Sequence, residues 1–81
     1  MLRIYGTLRC PDCVECCNDL DRAGIEYDFL DFDKDLKLLK DFLKLRDEDQ
    51  AFDPVRTAGN IGIPCILRED GTLTLDWKEM M

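Results

Sequence analysis

The sequence predicts a single α/β domain with the element order β-α-β-α-(α)-β-β, and three observations lead to it. A short alternating run, an amphipathic stretch and a second short run fit within about 30 residues, the footprint of a βαβ unit. A leucine-rich stretch of helical period follows, with apolar residues over half its circumference. Two alternating runs joined by Asp70-Gly71 then make a hairpin.

The elements follow in order. Leu2-Arg3-Ile4-Tyr5 alternates before Gly6 and reads as a strand. Thr7-Leu8-Arg9 is a loop, and Cys10-Pro11 opens a helix, because proline at a first-turn position loses no hydrogen bond there. On this helix Cys13, Val14, Cys17 and Leu20 share one face, expected to be buried, with Cys16 at its edge. Gly24 supplies the left-handed stop. Ile25 to Leu30 reads as a second strand, parallel to the first through a right-handed crossover, and ends in the acidic turn Asp31-Phe32-Asp33. A second helix spans Asp35 to Asp47. Its arc of Leu36, Leu38, Leu39, Phe42, Leu43 and Leu45 is wider than one sheet contact needs, so Phe52 and Val55 of the next segment, or a second subunit, must cover the rest. The expectation is a monomer covered by its own chain. Asp53-Pro54 reads as an N-cap and first-turn pair for a short helix stopping near Gly59. Ile61-Gly62-Ile63-Pro64 leads into the hairpin strands Cys65-Ile66-Leu67 and Thr72-Leu73-Thr74-Leu75, leaving Trp77 to Met81 for a truncated final helix.

Composition narrows the function. With 81 residues there is room for one domain and no separate cofactor module. Eighteen acidic residues against 11 basic ones give a net charge of −7, which repels phosphate backbones and anionic membrane surfaces, so neither nucleic acid nor membrane is an expected partner. There is no histidine, which excludes histidine acid–base catalysis and histidine metal ligation. The N-terminal MLRIYGTLRC lacks a signal-peptide pattern, and the expected compartment is the cytoplasm. Five cysteines, four of them within eight residues, do not make a disulfide framework in a reducing compartment. They point to thiol–disulfide exchange or to metal binding.

Cys10-Pro11-Asp12-Cys13 carries the chemistry. A thiolate attacks a disulfide where a thiol does not, and a helix N-terminus offers free N–H groups and the positive end of the dipole to sulfur. The three-residue step sets Cys13 one turn away, able to resolve a mixed disulfide. Arg9 favours the thiolate or is a solvated charge, whereas Asp12 competes with the thiolate for the same positive end. Cys17 reads as a core hydrophobe, Cys16 as an edge residue for which a partly accessible regulatory thiol is the less favoured reading, and Cys65 as a packed thiol ahead of a third redox thiol. Arg46 falls inside the apolar arc as a snorkelling or ion-paired residue; a second reading has Arg46 or Arg56 receiving a substrate carboxylate. Trp77 closes the core edge or shapes the groove.

YGTLRCPDC and GIPCIL together resemble the strand–loop–active-site element and the cis-proline loop of the glutaredoxin branch of the thioredoxin-like superfamily, and most of all its small bacterial glutaredoxin-related members. The resemblance covers nearly the whole chain. It implies a glutaredoxin-type thioredoxin-like fold and a dithiol–disulfide oxidoreductase of cell redox homeostasis, reducing disulfides in proteins or low-molecular-weight thiols without metal or organic cofactor. Cys10 would be the nucleophile, Cys13 the resolving thiol and Pro64 cis, with Arg9, Pro11, Asp12, Ile63 and Pro64 meeting the substrate. The electron donor would be glutathione or a thioredoxin-reductase-type enzyme. Two departures bear on glutathione: Asp12 stands where the family places an aromatic residue, and Leu75-Asp76-Trp77-Lys78 replaces the Gly-Gly-x-Asp stretch that holds the glutamyl end. Asp76 keeps an acid for the glutamyl amine, but Leu75 and Trp77 obstruct close backbone approach.

Two other classes compete. Cys10, Cys13 and Cys16 with Cys65 offer four thiolates for a metal or iron–sulfur centre, although regular helix geometry turns Cys16 roughly 120° away from Cys10. A redox-inactive binding module is the third, and the intact cysteine pair argues against it.

Overall fold

A computed structural model describes all residues from Met1 to Met81. The elements are β1 (Leu2–Gly6), α1 (Pro11–Arg22), β2 (Tyr27–Asp31), α2 (Leu36–Glu48), α3 (Asp53–Ala58), β3 (Cys65–Leu67) and β4 (Leu73–Thr74). One 3-10 turn, Gln50–Phe52, precedes α3, and another, Trp77–Met80, takes the place of a final helix. This is a small α/β fold with a mixed four-stranded sheet in the order β2-β1-β3-β4. β1 runs parallel to β2, with Ile4 opposite Phe29, and antiparallel to β3, with Ile4 opposite Ile66 and Tyr5 opposite Cys65. β4 extends the sheet antiparallel to β3. No helix is long and apolar enough to cross a membrane.

Alternation along β1 and β3 divides the core. Ile4 and Ile66 point to one face and pack with Cys16 and Leu20 of α1, closed at the rim by Trp77 and Met80. Tyr5 and Cys65 point to the other, against Phe42 of α2 and Phe52. The sheet is thus a middle layer between α1 and the α2 segment.

Local chemistry sets the boundaries. Asp35 caps α2 by accepting from the Lys37 backbone N–H at 2.9 Å. At the end of α1, Gly24 takes φ +72°. There the Gly24 N–H donates to the Asp21 carbonyl and the Ile25 N–H to the Leu20 carbonyl, closing a Schellman motif. The hairpin turns through Arg68–Gly71, with Gly71 at φ +88°.

The structure corrects several expectations. β2 begins at Tyr27 and not Ile25, because the Schellman motif holds Ile25 against α1. The buried face of α1 is Cys13, Cys16 and Leu20, while Val14 is exposed and Cys17 only half-buried. The helix is rotated by about one position, with the Tyr27 hydroxyl meeting the Cys17 carbonyl and Asp21 instead of solvent. Asp53 is the first residue of α3 and not its cap. The cap upstream is Asp49, which accepts from the Ala51 N–H. The chain itself covers part of the wide α2 arc: Phe52 meets Phe42 edge-on at 5.7 Å, whereas Leu36 and Leu43 of that arc are exposed and Val55, also expected to cover it, lines the groove instead.

Candidate active site

The loop after β1 fixes the entry to α1. Thr7 donates its hydroxyl to Asp33 at 2.7 Å and accepts from the Arg9 backbone N–H, while the Asp33 N–H donates to Asp31. These bonds tie the loop to the turn after β2, so the two strand ends present Cys10 from one fixed edge. Cys10 is the N-cap of α1, in extended backbone geometry and with no side-chain capping bond, so its sulfur is free for other partners. Pro11 follows at the first helical position. The N–H groups of Asp12 and Cys13 have no acceptor within the helix.

Cys13 lies one turn further in and is completely buried. Burial pushes its thiol up to about 12; the Thr7 backbone N–H works against this, and a hydrogen bond with the Cys10 thiol adds to it. Cys13 is therefore protonated near neutral pH. A Cβ on Gly6 would lie 2.7 Å from the Cys13 sulfur, so only glycine at the end of β1 leaves room for this thiol.

Opposite the helix N-terminus, Gly59, Asn60, Ile61, Gly62, Ile63 and Pro64 form a wall, and the Ile63–Pro64 bond is cis. Val55 and Leu75 complete a groove of about 810 Å³ with Thr7, Arg9, Cys10 and Asp12 on the near side. Cys10 is the one cysteine that lines it. Gly62, at φ +94°, sits so close to Phe52 and Val55 that a Cβ would reach within 2.9 Å of the Phe52 ring.

Of the residues expected at the site, Arg9, Cys10, Asp12, Ile63 and Pro64 line one groove. Arg9 pairs with Asp33 at 3.4 Å, a partner the sequence reading did not include. Pro11 shapes the first turn without lining the groove. Arg46 and Arg56 are turned to structural work. Arg46 donates to the carbonyls of Ile61 at 2.8 Å and Asn60 at 2.5 Å, and Arg56 donates to the Arg46 and Asp49 carbonyls and pairs with Asp53. Asp76 caps the last 3-10 turn by accepting from the Lys78 N–H, and Trp77 donates its indole N–H to Asp19 at 2.9 Å. Neither lines the groove. Cys16 and Cys65 are both fully buried, with thiols pushed by burial to about 12, but on opposite faces of the sheet. The four thiolates considered for a metal centre therefore do not converge, and no group of three or more cysteine or acidic side chains is placed to share an ion.

The sequence reading missed Gly6, Thr7, Val55 and the Gly59–Gly62 segment as parts of the site. A glycine closing an alternating strand just before the cysteine loop is the signal that identifies Gly6; nothing local marks Val55.

No family model and no solved structure matches this chain. A protein of Haemophilus influenzae, described as an uncharacterized protein, is 37% identical over 71 residues, which cover 88% of this chain and 83% of that protein. The match spans most of both chains, and this chain belongs to the same family as that Haemophilus influenzae protein.

Proposed function

We propose that the chain is a thiol–disulfide oxidoreductase of glutaredoxin type, on a thioredoxin-like fold, with Cys10 as nucleophile and Cys13 as resolving thiol. The observation that carries this reading is the asymmetry of the pair. Cys10 opens on the groove at a helix N-terminus, while Cys13 is buried, protonated and in hydrogen-bond contact with it. The sheet order and its βαβ start agree with the fold that the YGTLRCPDC and GIPCIL segments resemble.

The chemistry follows from that arrangement. The Cys10 thiolate attacks one sulfur of a substrate disulfide; the bond between the substrate sulfurs breaks, and the first thiolate leaves and takes a proton from water. The free N–H groups of Asp12 and Cys13 favour negative sulfur at Cys10 in the attacking state, and again when Cys10 becomes the leaving group during re-reduction. Cys13 then attacks the Cys10 sulfur, the bond between Cys10 and the substrate sulfur breaks, and the proton of Cys13 passes to the leaving sulfur, which departs as the second thiol. Two electrons pass from the dithiol to the substrate, leaving a Cys10–Cys13 disulfide. An external thiol or dithiol reductant restores the pair.

The test is single-turnover reduction of 2-hydroxyethyl disulfide by the pre-reduced protein, with peptide mapping of the product. Wild type should yield a Cys10–Cys13 disulfide. Cys10→Ser should abolish thiol release, and Cys13→Ser should stop at a mixed disulfide on Cys10. Full release by Cys10→Ser, or mixed disulfides on Cys17 in preference to Cys10, would overturn the assignment.

A further inference from the structure

We propose that the groove selects disulfides carried by a basic, partly apolar polypeptide segment and discriminates against anionic ones, glutathione disulfide included; this rests on the exchange reading above. Two charged side chains line the groove, Arg9 and Asp12. Arg9 is paired with Asp33, whereas Asp12 has no ion-pair partner. The arginines nearest the far wall, Arg46 and Arg56, spend their donors on main-chain carbonyls and on Asp53. Arg9 stays 84% exposed and makes no side-chain hydrogen bond, but with Asp33 at 3.4 Å from it and Asp12 on the near side the rim beside Cys10 carries two carboxylates against one cation. The net charge of −7 gives the same sign at long range.

The walls say what else the substrate brings. Val55, Leu75 and Ile61, the last 61% exposed, give the groove an apolar side. The main-chain N–H and C=O groups of Gly62 and Ile63 have no hydrogen-bond partner within the chain, so an extended peptide backbone can satisfy them. A small amine disulfide would meet Asp12 but leave the apolar side and these groups uncovered. A peptide with a basic residue beside its cysteine and an apolar one on the other flank meets all three.

The experiment uses pre-reduced protein in single turnover against disulfide-linked dimers of a capped pentapeptide, Gly-Leu-Cys-X-Gly, with X as lysine, glutamine or glutamate. Cystamine and glutathione disulfide are run beside them. Each rate is divided by that of dithiothreitol on the same disulfide, which removes intrinsic reactivity. The lysine dimer should exceed the glutamate dimer by about tenfold at low ionic strength, with the gap narrowing as salt rises. It should also exceed cystamine, and glutathione disulfide should fall with the glutamate dimer. Asp12→Asn should cut the lysine-to-glutamate ratio by at least about threefold and Asp12→Lys should reverse it, whereas Asp28→Asn, an equal change of net charge on a strand outside the groove, should move it by less than about 1.5-fold. These ratios are insensitive to any change in Cys10 reactivity, because both substrates meet the same thiol. A ratio near one, equal effects of Asp12→Asn and Asp28→Asn, or cystamine matching the lysine dimer would overturn the selectivity and leave the exchange reading standing. Absence of thiol release from every disulfide would overturn both.

Discussion

The space that Gly6 leaves open belongs to the Cys13 sulfur, which would lie 2.7 Å from any Cβ there. Gly6→Ala forces either the strand end or the helix start to move. The expected cost is roughly 1–3 kcal/mol, as for overpacking of a close-packed interior, read by urea unfolding. If Cys13 resolves the mixed disulfide as proposed, the same variant should also accumulate mixed disulfide on Cys10 during turnover, visible by mass spectrometry. An alanine variant with wild-type stability and no trapped intermediate would contradict this account of the contact. At this scale the placement of Cys10 at the start of α1 and of Cys13 one turn in was legible, since Cys10-Pro11 marks a helix start and the three-residue spacing sets the turn. Cys16 and Cys17 were not, because a rotation of one position exchanges them and only contacts from Tyr27 and Ile66 decide between the two settings. Long side chains were the least legible. The partners of Arg9 and Arg46 come from Asp33 and the Asn60–Ile61 carbonyls, far away in sequence.

Helix α2 and the segment after it act as one element. Phe42 packs on Tyr5, Phe32 and Phe52, so Phe42→Ala should cost roughly 3–5 kcal/mol in chemical denaturation. Since Phe52 covers the centre of the arc, light scattering should return a monomer, and Leu43→Lys on the exposed side should change neither oligomeric state nor fold. The sequence predicted the Phe52 contact because the arc was too wide for a sheet contact and Phe52 and Val55 followed it, but Val55 lines the groove instead. Arg46 couples the same helix to the groove wall through its two carbonyl contacts. Arg46→Met keeps the stem and removes the donors. It should lower stability by about 1–2 kcal/mol and raise KM for peptide disulfides more than it lowers kcat. An unchanged KM would show that the wall holds its shape without the guanidinium. The short elements near Gly59 were legible in type and displaced in detail, because capping there passes from Asp49 through a 3-10 turn before α3 begins.

For the molecule as a whole, the buried thiols set the response to alkali. Cys13, Cys16 and Cys65 are all raised from 9.0 to about 12, chiefly by burial. Between these values the unfolded chain loses protons that the folded chain keeps. The stability they contribute is complete below pH 9 and is lost as pH rises towards 12, with a slope of about 1.4 kcal/mol per pH unit for each thiol. Cys17, Tyr5 and Tyr27 are raised by burial in the same direction and add to the slope. Alkaline unfolding should therefore reach at least three protons in steepness, and Cys16→Ala should remove about one of them, measured from denaturation midpoints at stepped pH. A pH-independent midpoint across this range would refute the burial of all three. Charge gives no comparable information about the fold: the excess of acids follows from the sequence, but which of them remain unpaired beside Cys10 emerged only once the loops were in place.

The chain has a single tryptophan, and its indole is held to Asp19, nine residues and roughly 13 Å along α1 from Cys10. The protein therefore carries an optical reporter at the opposite end of the helix that Cys10 opens. Its emission should register the loss of the core and stay indifferent to the oxidation state of the Cys10–Cys13 pair. Unfolding can then be followed by intrinsic fluorescence in either redox form, without the change at the sulfurs contaminating the signal.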